Sequence, residues 1–169
     1  MRPATAEDAG AVAAVHVASW QAAYRGVFPD DVLDGPDLAA SRLGLWQRLL
    51  GPDAPAGYAT WVAEAAGQVV GFAGVRPSPD DDADAGTGEV WGIYARREAW
   101  GTGAGRQLMA AALAALGAGG ARTVTLWVLD SNERARRFYG AAGFAPDGAT
   151  KRETVQGSVI TEVRYRRRL

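Results

Sequence analysis

Apolar positions recur along this chain in two rhythms, and the switches between them mark its elements. From Ala9 to Trp20, Val12, Val15 and Ala18 or Ser19 fall at helical spacing, with Trp20 continuing the face. A helix is predicted over Ala6–Ala23, started by Thr5 as N-cap with Asp8 three residues later. Residues Arg2–Thr5 read as a short strand before it. The run Tyr24–Asp31 breaks the helix, and a second one is predicted over Leu38–Leu50, ended by Gly51-Pro52. The rhythm then becomes strand-like over Thr60–Ala65 and Gln68–Val75, joined by a turn at Ala66-Gly67. Arg76–Gly88 is acidic, with Asp80, Asp81, Asp82 and Asp84, and reads as a mobile loop. A strand at Glu89–Ala95, a helix over Gly103–Leu116 and a strand at Arg122–Leu129 follow. Asp130-Ser131-Asn132 caps a helix over Glu133–Ala142, and strands Phe144–Glu153 and Val159–Arg167 close the chain as a hairpin about Gln156-Gly157. The order β-α-α-β-β-β-α-β-α-β-β predicts a mixed α/β sheet, and no linker or repeat divides residues 1–169 into more than one domain.

Composition narrows the chemistry. The chain holds 169 residues with a formal net charge of −1, which gives no reason to expect nucleic acid or an anionic membrane as a partner. It has no cysteine, so disulfides, thiolate nucleophiles and cysteine-ligated metals are excluded. Its one histidine, His16, argues against a histidine triad or a multi-histidine metal site, and no metal is expected. No apolar leader follows Met1 and no run reaches transmembrane length, so a cytoplasmic protein is expected. The C-terminal Arg164, Arg166, Arg167 and Arg168 read as charges alternating out of an edge strand, where they discourage edge pairing.

The segment Trp100-Gly101-Thr102-Gly103-Ala104-Gly105-Arg106 carries the most chemical information. Alternating glycines between a strand and a helix allow a tight turn that aims backbone N–H groups at one point. The positive end of the helix dipole points the same way, so the turn suits an anion such as a pyrophosphate. A P-loop would need a lysine that is missing here. A dinucleotide turn counted from Gly101 would need glycine where Arg106 stands.

A second motif, Asn132-Glu133-Arg134-Ala135-Arg136-Arg137-Phe138-Tyr139 followed by Gly143-Phe144, lies downstream. Together the two motifs resemble the GNAT superfamily of acetyl-CoA-dependent N-acetyltransferases: Gln/Arg-x-x-Gly-x-Gly/Ala, then Asn-x-x-Ala-x-x-Phe-Tyr and Gly-Phe. The order of elements matches along nearly the whole chain. The resemblance implies a central mixed, mostly antiparallel sheet of roughly six to seven strands with about four helices, splayed at the coenzyme A site. It also implies acetyl-CoA as cosubstrate and direct attack by a primary amine in a ternary complex.

Several roles follow from the resemblance alone. Backbone groups of the strand at Ile93, Tyr94 and Ala95 would meet the pantetheine arm. Trp100, Gly101, Thr102, Gly103, Ala104, Gly105 and Arg106 would hold the pyrophosphate, with Arg97 or Arg106 adding charge. Asn132 would hydrogen-bond the pantetheine, and Tyr139 would lie near the sulfur and protonate the leaving thiolate. Glu89 aligns with a position that serves some relatives as general base. Trp20 and Tyr24, in a Ser-Trp-x-x-x-Tyr-x-Gly run resembling a bacterial subgroup, and Trp91 would flank the acceptor. Strand alternation places Glu89, Trp91 and Ile93 on one face. Trp100 departs from the family's Gln or Arg, which shifts the expected grip to backbone amides. The acceptor is expected to be a small-molecule, peptide or protein amine, and a homodimer is compatible with the family. A non-catalytic acyl-CoA-binding module on the same fold is the alternative.

Overall fold

Seven strands form one sheet in the order β1-β2-β3-β4-β5-β7-β6. The computed structural model describes residues 1–155 and 157–169, so Gln156 of the expected closing turn lies outside the described residues. The strands are β1 (Arg2–Pro3), β2 (Ala59–Ala65), β3 (Gln68–Pro77), β4 (Thr87–Ala95), β5 (Thr123–Leu129), β6 (Ala145–Val155) and β7 (Ser158–Arg168). The helices are α1 (Ala9–Tyr24), α2 (Asp30–Asp34), α3 (Pro36–Leu50), α4 (Ala104–Ala118) and α5 (Glu133–Ala141). Every pairing is antiparallel except β4 with β5, whose parallel alignment requires the crossover that α4 supplies. The expected α/β fold is therefore present. The additional helix α2 begins at the end of the segment read as a break and runs into the stretch before Leu38, where no element is predicted, because five residues behind Pro29 are too few to show a period.

Two apolar clusters sandwich the sheet. On one face, Val12, Val15 and Trp46 of α1 and α3 pack on Val62 and Phe72. On the other, Leu108, Met109 and Ala112 of α4 pack with Ala73, Val75, Val90 and Leu126, and Tyr139 and Phe144 extend this cluster. The α1 stripe runs through Ser19, which is buried, while Ala18 is exposed.

A bulge in β4 changes the expected alternation. Gly74 pairs with Gly92 and Val75 with Val90, so Trp91 is an extra residue with no partner on β3. Trp91 consequently turns to the α1/α3 face, against Trp46, while Ile93 packs in the α4 cluster. Glu89 and Trp91 share a face, but Ile93 lies on the opposite one. The Trp91 ring lies over Gly74, where an added Cβ would come within 2.5 Å of it.

The acidic loop and the terminal arginines also differ from expectation, and they explain each other. Strand β7 sits between β5 and β6, so it is not an edge. Arg164, 6% exposed, donates to Asp80, Asp82 and Asp147 at 2.6–3.1 Å. Arg166 joins Asp82 and Asp147, and the Trp127 indole N–H donates to Asp80 at 3.1 Å. Arg167, on the other face, donates to the Ala142 carbonyl. The loop is thereby pinned over β5 and β7. Arg164 holds the Asp82 carboxyl down at about 2.

His16 is a core residue. It lies buried among Trp46, Phe72 and Tyr94, and its Nδ1 accepts a 3.2 Å hydrogen bond from the Trp46 indole. Burial, aided by the charge of Arg42, lowers its pKa from 6.5 to about 3.

Two stability predictions follow from these packing facts. Gly74→Ala should lose about 1–3 kcal/mol in urea unfolding, because the bulky Trp91 ring must move; unchanged stability would show that the ring yields freely. For His16, the folded value is depressed, so its contribution is full above pH 6.5 and is lost as pH falls toward 3. Between pH 6.5 and about 5, wild-type stability should drop with a slope of up to about 1.4 kcal/mol per pH unit, and His16→Gln should flatten that slope. Identical slopes in the two proteins would refute this assignment.

Candidate active site

The parallel contact between β4 and β5 covers Thr87–Thr123, Gly88–Val124 and Glu89–Thr125, and then stops. Beyond it the strands diverge, leaving one edge of β4 unpaired from Val90 onward. Arg96 donates its backbone N–H to Val70 on β3, at 2.8 Å. Alternation therefore turns the N–H and C=O of Ala95 and Ile93 toward the open edge. The Trp100 indole N–H, 2.8 Å from the Ala95 carbonyl oxygen, finds that carbonyl there.

This divergence opens a cleft of about 1390 Å³ that passes through the sheet. At one end stands the glycine turn. Gly101 and Gly103 have φ of +77° and +91°, a left-handed conformation that side chains disfavour, with empty space where a Cβ would be. Gly105 sits close to the Phe138 ring, which an added Cβ would meet at 3.4 Å, about van der Waals contact. Gly103 is the N-cap of α4, and the first full helical bond runs from Gln107 N to Gly103 O. The N–H groups of the first turn are left without intrahelical acceptors. Thr102 tightens the turn by donating to Ala99 O at 2.8 Å.

Of the residues expected at this end, Ile93, Tyr94, Ala95, Trp100, Gly101, Thr102, Gly103, Gly105, Arg106, Asn132 and Tyr139 line the cleft. Ala104 does not; its methyl packs against the α4 cluster. Asn132 uses its side-chain oxygen to cap α5, accepting from Ala135 N at 3.0 Å, which leaves its amide hydrogens free. The open edge, the uncapped helix turn and the unfilled space at Gly101 and Gly103 suit an extended ligand ending in phosphates.

Tyr139 reaches the cleft from α5. It is 9% exposed, and burial, then the neighbouring Tyr24 and Glu162, raise its pKa above the ordinary phenol value. Tyr24 and Tyr94 are likewise raised, chiefly by burial, and influence one another. All three phenols line the cleft.

On the opposite face from α4 the lining changes. Glu89 is 3% exposed and sits in the last β4–β5 pair, at the apex of the divergence. Its carboxylate accepts from Arg76 Nε, while Arg76 Nη1 donates to the Tyr58 hydroxyl at 3.1 Å. Burial raises the Glu89 pKa and Arg76 opposes the rise. Glu162 pairs with Lys151 at 3.0 Å, and Lys151 lies over the Trp127 ring. Trp91 and Tyr24 also line this half, but Trp20 does not: it stacks on Phe28 at 5.1 Å beneath the Arg42 guanidinium. Arg76, Trp127, Lys151 and Glu162 escaped sequence reasoning, since nothing local marks residues that meet across strands. Among the described residues there is no cluster of three or more side chains able to hold a metal, and no helix is long and apolar enough to cross a membrane.

Comparison with known proteins places this cleft in a family. The family described as acetyltransferase (GNAT) matches residues 17–144, which include β4, the glycine turn and Tyr139. A mycothiol acetyltransferase of Thermobispora bispora is 40% identical over 91 residues, 53% of this chain. The match spans only 30% of that relative's length. Among solved structures, a GNAT-family protein of Desulfovibrio desulfuricans shares the fold with a TM-score of 0.75 and 24% identity, over 99% of this chain and 96% of that one. PaiA N-acetyltransferase of Thermoplasma acidophilum, solved with coenzyme A, gives 0.71 and 19% over 99% and 97%. YncA of Salmonella typhimurium, solved with acetyl-CoA, gives 0.71 and 21% over 99% and 91%. The chain, with its parted β4 and β5 and its glycine turn at the head of α4, belongs to the GNAT family of acetyltransferases.

Proposed function

We propose that this protein transfers an acetyl group from acetyl-CoA to a primary amine by direct attack, with both substrates bound together. The observation that carries the reading is the cleft through the sheet. Its glycine turn and Tyr139 lie on the α4 side, and its carboxylates lie on the opposite side. An acyl donor and an acceptor entering from opposite faces would meet at Tyr139. The thioester supplies an electrophilic carbonyl and a thiolate leaving group.

The chain's own groups fit the remaining tasks. The outward-facing N–H groups of β4 supply fixed dipoles where charge builds on the carbonyl oxygen. The Tyr139 phenol, kept protonated by burial, has a proton to give to the departing thiolate. The acceptor ammonium must lose a proton before its nitrogen can attack. Glu89, at the apex and with its pKa raised, accepts that proton directly or through water. The absence of cysteine removes the usual thiol for an acetyl-enzyme, in keeping with direct attack.

Thiol release from acetyl-CoA should appear with some members of a diverse amine panel and not without an acceptor. Tight coenzyme A binding with no turnover across the panel would instead favour the non-catalytic module. Tyr139→Phe should lower kcat by about 100-fold or more with little change in acetyl-CoA affinity; an unaltered kcat would remove Tyr139 as the acid. Glu89→Gln should depress kcat/KM most at low pH, where the amine is protonated. It should approach wild type as pH rises toward the amine's own pKa. An activity ratio independent of pH would exclude Glu89 as the base.

A further inference from the structure

The glycine turn has an unusual neighbour. Trp100 is 36% exposed and stands where the family's pattern has Gln or Arg, yet it is not loose. Its indole N–H is tied to the Ala95 carbonyl, and the Arg134 guanidinium lies on its face, 3.3 Å from the ring centroid. Trp100 follows the end of β4, and Arg134 is the second residue of α5, across the cleft. The stacked pair therefore bridges the two lips of the mouth.

The charge around this bridge is unbalanced. Arg2, Arg25, Arg76, Arg122, Arg136, Arg137, Arg164 and Arg166 all pair with carboxylates. Arg97, Arg106 and Arg134 line the cleft, and none has a carboxylate partner among the described residues. Arg134 also occupies the first turn of α5, the end of a helix at which a cation is disfavoured. Partial burial, and then the like charge of Arg97, push its pKa down. Arg134 at the N-terminus of α5 and Arg97, which lines the same cleft from the turn after β4, form an arrangement that an anion would relieve. Trp100 holds one of them flat, so that its N–H edge is available.

We propose that Arg134, positioned on Trp100 and acting with Arg97, forms a phosphomonoester subsite at the cleft mouth, separate from the pyrophosphate cradle of the glycine turn. Given the proposed use of coenzyme A, on which this inference rests, the group bound is the 3′-phosphate of its nucleotide. A doubly charged, three-oxygen group matches two planar guanidiniums better than a single carboxylate does. Arg134 makes the contact, and Trp100 is a positioning residue.

Calorimetric titration with coenzyme A and with 3′-dephospho-coenzyme A tests this without turnover. Wild type should bind coenzyme A tighter by about tenfold or more, the weight of a charge-assisted contact. Arg134→Gln should erase that preference while keeping the affinity for the dephospho form. Trp100→Ala should act like Arg134→Gln, and Trp100→Phe, which keeps a flat ring, should restore most of the preference. Thermal unfolding of each variant checks that it folds. Equal wild-type affinity for both ligands overturns the subsite and leaves the coenzyme A reading standing. An equal loss for both ligands in Arg134→Gln also overturns it. Failure of wild type to bind either ligand overturns the coenzyme A reading, and the subsite with it.

Discussion

Strands β4 and β5 run side by side from Thr87 to Glu89 and from Thr123 to Thr125, and then part. A parallel pair that stops early leaves backbone donors and acceptors without partners, and water or a ligand must satisfy them. That unsatisfied edge is what the rest of the molecule is arranged around. Helix α4 closes the crossover on one face and places the glycine turn at its own start, beside the end of β4. Helix α5 follows β5 away and brings Asn132 and Tyr139 to the opposite lip. The β7–β6 hairpin then continues the sheet beyond β5, supplying Glu162 and Lys151 to the half of the cleft away from α4.

The same divergence explains why the charges are distributed as they are. On the α1/α3 side of β5 and β7 lies the acidic loop between β3 and β4. It is held by Arg164 and Arg166 from β7. These ions pair with one another, so the loop is a structural clamp. Glu89 with Arg76 and Glu162 with Lys151 repeat the pairing nearer the cleft. At the mouth the pattern reverses: among the described residues Arg97, Arg106 and Arg134 have no carboxylate partner, and they line the cleft beside an open helix terminus. The cleft is thus balanced in charge in the half away from α4 and positive at its other end.

Much of this was legible along the chain. The helices and strands fell near their predicted positions because long amphipathic runs and Gly–Pro punctuation are local signals. The glycine turn was legible because a left-handed φ at Gly101 and Gly103 restricts the residue type directly. Asn132 was legible as a cap because its side-chain oxygen can accept a first-turn N–H, here that of Ala135. The bulge at Trp91 was not legible, since a single inserted residue leaves the apolar pattern intact while moving Ile93 to the other face. The role of Trp20 was misleading for the same kind of reason. Its spacing from Tyr24 gave a shared face, but Phe28 and Arg42 decide which way that face is covered.

By itself the sequence determined the order of elements, the α/β class, the anion-binding turn and the family resemblance, all of which rest on interactions between near neighbours. Only the tertiary structure decided the partners of charged groups. Arg76 with Glu89, Lys151 with Glu162, Arg134 on Trp100 and Arg164 within its aspartates join residues from 11 to 84 positions apart in the chain. It also decided that β7 enters between β5 and β6, which turned expected edge charges into a buried network. The physical reason is that ion pairs, stacking and strand insertion depend on separation in space, and a one-dimensional pattern carries no record of it.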